Sequence, residues 1–302
     1  MARAFTIVGL GELLWDMLPQ GKHLGGAPTN FAYISSRLGN LGVVASRVGN
    51  DDLGREAVRQ LQQFGLETSH VQPDSEHPTG TVRVHLDRGG QPRFTIHKNV
   101  AWDFLHWTAG WKKLANEADA VCFGTLAQRS SCSRATITQF LRTTPAIRVF
   151  DVNLRQNFYD AETVRHSLGL ATIVKMNHDE LPVVLKLLGL KPCIGEAGAR
   201  CLFPFGPKIV CVTRGRRGSL LMTQNRTTKH PGFSVRLKDT IGAGDAFTAA
   251  LVHEYLRGAS FEKMNDTANR MGSWLASQIG GTPVVSKADL RRRLAELVPN
   301  RT

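Results

Sequence analysis

No cysteine in this chain falls in a recognisable metal or disulfide pattern. The five, Cys122, Cys132, Cys193, Cys201 and Cys211, form no C-x-x-C pair and have no histidines at zinc-ligand spacing. They are expected to be reduced and mostly buried thiols. No apolar run reaches the ~18 residues of a membrane span, and Glu12 and Asp16 interrupt the apolar N-terminal stretch, which argues against a signal peptide. The expected location is therefore the cytoplasm. Internal repeats, low-complexity tracts and Ser/Pro-rich linkers are absent too, so one main domain over residues 1–302 is expected. Acidic side chains are in deficit: 25 Asp and Glu against 38 Lys and Arg leave a net charge of +13. Such a balance favours anionic partners. The basic residues are dispersed, however, the densest groups being Arg214-Gly215-Arg216-Arg217 and Arg291-Arg292-Arg293, and no aromatic ladder is interleaved with them as a single-strand groove requires. Neither nucleic acid nor membrane is an expected partner, and charge alone does not choose among other anions, phosphorylated small molecules included.

At 302 residues and 42% hydrophobic composition, the chain is long enough to bury a large core without covalent staples. The apolar run Phe5–Val8 ends at Gly9 and Gly11, as a buried strand does when it enters a turn. Val43–Val48 reads as the next strand, and Leu53, Ala57, Leu61 and Phe64 mark a helix stopped by Gly65. Further apolar runs at 120–123, 147–150, 172–176 and 209–212 are separated by stretches of helix length. This alternation predicts an α/β doubly wound fold, a mostly parallel sheet flanked by helices. Residues 79–98 differ: Val82, Val84 and Leu86 alternate with polar residues, and after Arg88-Gly89-Gly90-Gln91-Pro92 so do Phe94 and Ile96. Period two with one polar face predicts an antiparallel hairpin. It is either an edge ribbon or, with about 12–25 and 79–103 together, a small β-sheet lid. Trp102 either stacks on a ligand or fills the core; Trp107, Trp111 and Trp274 read as packing residues.

The stretch from Asp239 to Phe247, D-T-I-G-A-G-D-A-F, carries the strongest chemical signal, with Ala250, Leu251, Tyr255 and Leu256 following at helical spacing. Small residues leading into a helix leave its first N–H groups free to bind an anion such as phosphate. Asp245 at the edge of that hole is placed either as a cap or as a general base, taking a hydroxyl proton while the Gly242, Ala243 and Gly244 amides stabilise developing charge. The chain has no P-loop, its Gly9-x-Gly11 lacks the third glycine of a dinucleotide fingerprint, and protein-kinase motifs are missing.

Six short motifs occur in a single order: Gly25-Gly26-x-Pro28-x-Asn30, Val48-Gly49-x-Asp51-x-x-Gly54, Asp151-x-Asn153-x-Arg155, Asn177-x-x-Glu180, Thr213-x-Gly215-x-x-Gly218 and the Asp239–Asp245 stretch. Together they resemble the ribokinase-like (phosphofructokinase-B) carbohydrate kinases over almost the whole chain, and Gly11–Pro19 looks most like the bacterial fructokinases. The resemblance implies an ATP-dependent transfer of the γ-phosphoryl group to a primary hydroxyl of a small sugar, fructose first. Another polyol, the sugar acid 2-keto-3-deoxygluconate or a nucleoside is the alternative within the class, and a non-catalytic sugar or nucleotide sensor the alternative outside it. Asp16, Gly25, Gly26, Asn30 and Arg155 would hold the sugar, though Asn30 is equally placed to cap the helix that follows it. Asn177, Glu180, Thr213, Gly215 and Gly218 would lie along ATP. Glu180 would help hold Mg²⁺ through water, and Asp239 and Ile241, with the loop around Gly280-Gly281, would hold the K⁺ that some members bind. Ala27 and Pro28 stand where ribokinases usually carry a lysine, which disfavours ribose. Pairing of two lids would give a homodimer.

Overall fold

The structure, a computed structural model, describes residues 3–18, 21–86 and 92–300. Pro19, Asp87 and the expected hairpin turn Arg88–Gln91 lie outside them. The strands are β1 (Thr6–Leu10), β2 (Leu14–Leu18), β3 (Gly21–Gly25), β4 (Leu41–Gly49), β5 (Val71–Asp74), β6 (Gly80–Leu86), β7 (Pro92–Ile96), β8 (Ala120–Phe123), β9 (Ile147–Asp151), β10 (Ile173–Asn177), β11 (Ile209–Thr213), β12 (Ser219–Met222) and β13 (Thr227–His230). The α-helices are α1 (Ala27–Arg37), α2 (Asp52–Gln63), α3 (Ala109–Glu117), α4 (Ser131–Thr143), α5 (Ala161–Leu170), α6 (Glu180–Leu187), α7 (Gly195–Arg200), α8 (Ala243–Leu256), α9 (Phe261–Ala276) and α10 (Lys287–Ala295).

A nine-stranded sheet in the order β13-β12-β11-β10-β9-β8-β1-β4-β5 forms the spine. The seven strands from β11 to β5 run parallel, and β12 and β13 close one edge antiparallel. Strand residues alternate between two cores. Val8, Val121 and Val174 face α3 to α7, while Ile7, Ala120 and Ile173 face α1, α2, α8, α9 and α10. Burial on both faces explains why these strands read as short continuous apolar runs. α8 is apolar almost all round because it lies between α1 and α9, with Ala246 to Val252 buried.

The first strand sits between β4 and β8, so the chain winds away from it in both directions. At such a switch point the crevice beyond the carboxyl ends of the strands is where open α/β sheets take ligands. β1 feeds directly into the second sheet, ordered β3-β2-β6-β7, in which β2 and β6 are parallel and the outer pairs antiparallel. This is the expected small second sheet, rooted in the main body. Trp15 is buried and its Nε1–H donates to Leu53 O at 3.0 Å. Trp102 fills the core below β6: it is fully buried, Arg129 lies 4.0 Å over its ring, and a Cβ on Gly80 would come within 2.2 Å of its Nε1. Trp111 and Trp274 are buried, and Trp107 packs edge-on against Phe140.

Close approach of α1 to β1 sets the position of the Gly25-Gly26 loop. A Cβ on Gly9 would lie 2.0 Å from the carbonyl oxygen of Pro28. Gly9→Ala is therefore expected to push α1 off the sheet and destabilise the protein by about 1–3 kcal/mol, the usual range for overpacking. Urea denaturation checks it; an unchanged midpoint overturns the contact's importance.

Candidate active site

The α8 N-terminus opens into the crevice. Gly242, its N-cap, has φ 74°, a left-handed conformation, and is pinched: a Cβ there would meet Gly281 Cα at 2.8 Å and Asn30 Nδ2 at 3.3 Å. Only glycine fits without displacing one of these. The Ala243 N–H turns back to Thr240 O at 3.2 Å. The next amides, Gly244 and Asp245, fall in the first helical turn, where no earlier carbonyl of the helix can accept them.

Asp245 stands in that turn with its side chain half-buried. Asn30 Nδ2 donates to its Oδ2 at 2.8 Å. Asn30 belongs to the first turns of α1, so it is a helix residue reaching across the crevice and not a cap. Its Oδ1 is buried with no protein partner. Desolvation, reinforced by the Asp151 charge, raises the Asp245 carboxyl to about 7, against the lowering effects of Asn30, Lys175 and Arg155. An aspartate poised there exchanges a proton near neutrality.

Beneath it lies a buried ion pair. Lys175 Nζ donates to both Asp151 oxygens at 3.0 and 3.1 Å, and Thr248 Oγ1 lies 2.9 Å from Asp151 Oδ2. Lys175 also lies hard against the α8 terminus, 2.7 Å from where a Gly244 Cβ would be. Burial alone would depress the ammonium's pKa, but the charges of Asp151, Glu180 and Asp245 outweigh it and hold the lysine protonated. Asp151 and Asp245 together line a small cavity with Pro28, Phe31, Cys122 and Phe123.

Two further carboxylates, Asp16 and Glu12, lie on β2 and just before it. Asp16 lies on β2, and a Cβ on Gly25, in the neighbouring strand, would come 2.5 Å from its Oδ2. The glycine leaves this carboxylate its space. Desolvation lifts Asp16 to about 6, with His23 and Arg155 opposing. Glu12 is buried, its Oε1 accepting the Ala27 N–H at 3.3 Å and its Oε2 unpartnered, and desolvation raises it to about 7. Gly26 holds φ 106°, and a Cβ there would strike Glu12 O at 2.4 Å. Arg155 is exposed, and its positive charge lowers the pKa of Glu12, Asp16 and Asp245 alike. Its loop is held in an unusual shape, with Asn153 and Gln156 at φ 43° and 50°.

Next along the sheet, Asn177 and Glu180 form a closed local unit. Asn177 Oδ1 accepts the Asp179 and Glu180 N–H groups at 2.9 Å; Glu180 accepts the Leu154 and Asn177 N–H groups at 2.8 Å. Glu180 thus ties the ends of β9 and β10 together, and burial raises its pKa. Thr213 pairs with Asn177 in register. After it, Gly215 and Gly218 turn the chain with φ 57° and 76°, and a Cβ on Gly218 would fall 1.9 Å from His230 O. Arg214 is tied to Ser219 O and His230 O, whereas Arg216 and Arg217 are exposed. Asp239 accepts the Ile241 N–H and, across the loop, the Gly280 N–H, both at 3.0 Å. Among the described residues, no three His, Cys, Asp or Glu side chains are grouped to hold a metal ion unaided.

The pfkB family carbohydrate kinase profile matches residues 18–288. This chain belongs to the pfkB family of carbohydrate kinases. A putative sugar kinase of Pyrococcus horikoshii is 28% identical over 94% of this chain and 94% of its own; the fructokinase of Salmonella typhimurium is 32% identical over 80% of this chain and 82% of its own. In solved structures, the Pyrococcus protein in complex with ATP superposes with a TM-score of 0.81 at 28% identity, covering 96% of this chain and 98% of that one. Fructokinase from Vibrio cholerae, in its fructose, ADP and calcium ion bound form, superposes with a TM-score of 0.81 at 26% identity, covering 96% and 99%.

In this pfkB kinase Asn30 and Asp245 meet at the α8 N-terminus and Thr213 pairs with Asn177, whereas Asp51 of the Val48–Gly54 motif caps α2 and binds Thr79. Sequence reasoning gave Lys175 no role. Its signal was a lysine inside the apolar run Ile173-Val174-Lys175-Met176, a cation that a buried strand tolerates only opposite an anion. Glu12 was read only as a charge interrupting the N-terminal apolar run and as part of the Gly11–Pro19 stretch; its buried, unpartnered oxygen is what sets it apart. Among the described residues no helix is long and apolar enough to cross a membrane.

Proposed function

We propose that this sugar kinase transfers the γ-phosphoryl group of ATP to a primary hydroxyl of fructose. The Asp245–Asn30 contact at the α8 N-terminus carries the reading: it puts a proton acceptor of pKa about 7 beside amides able to receive a phosphoryl group. The fructokinase relatives at about 30% identity support the choice of sugar. Ala27 and Pro28 beside the glycine pair agree with it, leaving no lysine there for ribose.

Asp16 accepts from sugar hydroxyls, and the free Asn30 Oδ1 takes another. Asn30 Nδ2 fixes the Asp245 carboxylate, which receives the proton as the sugar oxygen attacks the terminal phosphorus in line. The Gly244 and Asp245 amides and the dipole of α8 stabilise charge on the transferred group. Arg155, exposed and acting on three carboxylates, is placed to swing onto sugar or phosphate. Closure of the lid excludes water, so that the sugar hydroxyl and not solvent is the acceptor.

Glu180 and Asn177 suit a hard cation held through its own waters, since each Glu180 oxygen keeps a lone pair beyond the one given to an amide. Held there, Mg²⁺ would neutralise charge on the nucleotide phosphates. The carbonyls of the loop pinned by Asp239 and Gly280 offer the oxygen donors a K⁺ ion takes.

An ADP-release screen across ketoses, aldoses, sugar acids and nucleosides tests the reading. Fructose is expected to give the highest kcat/KM. A sugar acid or nucleoside ahead of it overturns the substrate, and ADP release that no acceptor stimulates overturns the kinase mechanism itself.

A further inference from the structure

The five cysteines divide by environment. Cys122 and Cys211 are buried in the sheet, and desolvation pushes their thiols far up, that of Cys211 to about 12. Cys132 donates weakly to Leu105 O at 3.7 Å. Cys193 and Cys201 are half-buried and lie together on the outer layer, at α7.

Their proximity follows from how the chain enters that helix. Gly195 has φ 65° and reverses the backbone, leaving Ile194 76% exposed and folding Cys193 back over the helix. Gly198 receives it: a Cβ at Gly198 would lie 2.6 Å from Cys193 O, so only a bare α-carbon allows the approach. Cys201 is the C-cap residue, still helical at φ −63° and ψ −12°, three residues beyond Gly198 and thus on the same face. The Cys201 thiol donates to Ala197 O at 3.3 Å, and Cys193 stands near enough to act on it electrostatically. Burial first, and then the neighbouring Cys193, raise the Cys201 pKa, as expected of two thiols sharing one site.

We propose that Cys193 and Cys201 are a dithiol that closes to an intramolecular disulfide with a small-molecule disulfide as oxidant. With glutathione disulfide, the thiolate of one cysteine attacks a sulfur of the oxidant, forming a mixed disulfide and releasing one glutathione thiolate. The second cysteine thiolate then attacks the protein-side sulfur and releases the other glutathione. The protein loses two thiol protons and two electrons; the oxidant takes them up as two glutathione thiols. The resulting loop spans Cys193 to Cys201 and clamps α7, which packs on β11 and β12.

The test treats the reduced full-length protein with glutathione disulfide, quenches with an alkylating agent, and counts free thiols after denaturation. Two of the five are expected to disappear, and peptide mass mapping is expected to join Cys193 to Cys201. The oxidised parent is expected to melt above the reduced one, because the link restricts the unfolded chain. Cys193→Ser and, separately, Cys201→Ala are expected to abolish both the link and the melting shift, leaving at most a glutathione adduct on the surviving thiol. Five alkylatable thiols after oxidation, or a link mapping to any other pair, overturns the proposal.

Discussion

Asp245→Asn is expected to lower kcat by about 10²–10⁴-fold, the usual contribution of a positioned base, while leaving the KM for sugar nearly unchanged. The amide keeps the size of the carboxylate but cannot take the hydroxyl proton. A loss confined to kcat marks an interaction made in the transition state. Two controls separate it from misfolding. The first is stability. The folded Asp245 pKa of about 7 exceeds its ordinary 3.8, so folding there favours the protonated form. That contribution is complete below about pH 4 and is lost as the pH rises through 7. At pH 8 the variant should therefore melt no lower than the parent. The second is the pH profile. Parent kcat/KM should climb through about pH 7 as the carboxylate ionises, and the residual activity of Asp245→Asn should lack that limb. Glu12, raised to a similar value, is the other candidate for the limb, so Glu12→Gln should retain it. Equal kcat in the parent and Asp245→Asn removes the base from the mechanism.

Lys175→Met is expected to destabilise the protein by about 3–5 kcal/mol, because it strands Asp151 as a buried carboxylate whose remaining partner is the Thr248 hydroxyl. A surface ion pair would cost a small fraction of that. The double variant Lys175→Met/Asp151→Asn should recover much of the loss, since no net charge is then left buried. A denaturant midpoint for the single variant within experimental error of the parent would show that water reaches the pair. The same pair lies under Gly244, so the double variant also asks whether a fixed cation beneath the α8 terminus matters to turnover once stability is restored.

The main sheet was legible because its strands are short apolar runs between turn residues, and β8 occupies the residues read from the sequence. The helix after Gly242 was legible for the same local reason. Missing from that reading were β5 and β13, whose polar residues, such as Gln72 and Lys229, break the apolar pattern, the short apolar β12 directly after the Gly218 turn, and the parallel pairing of β2 with β6. Motif residues were found, but their partners were not. The sequence marks Asn30 as a polar residue in a first helical turn; that it grips Asp245 depends on α1 packing beside α8. Likewise Cys193 and Cys201 match no known spacing, and their meeting depends on the reversal at Gly195 and the bare face of Gly198. Local physics writes elements into a sequence, while contacts across elements are set by packing that no window of residues contains.

Asn30 and Asp245 are separated by 215 positions in the chain. During synthesis the glycine pair and Asn30 leave the ribosome early, whereas the α8 terminus emerges only after more than three-quarters of the polypeptide has been made. A nascent or prematurely terminated product can thus carry the lid strands and most of the parallel strands yet lack the group that would act on a nucleotide. With Asp245 as the proposed base, such incomplete molecules would not turn over ATP, and activity would wait for α8 to dock.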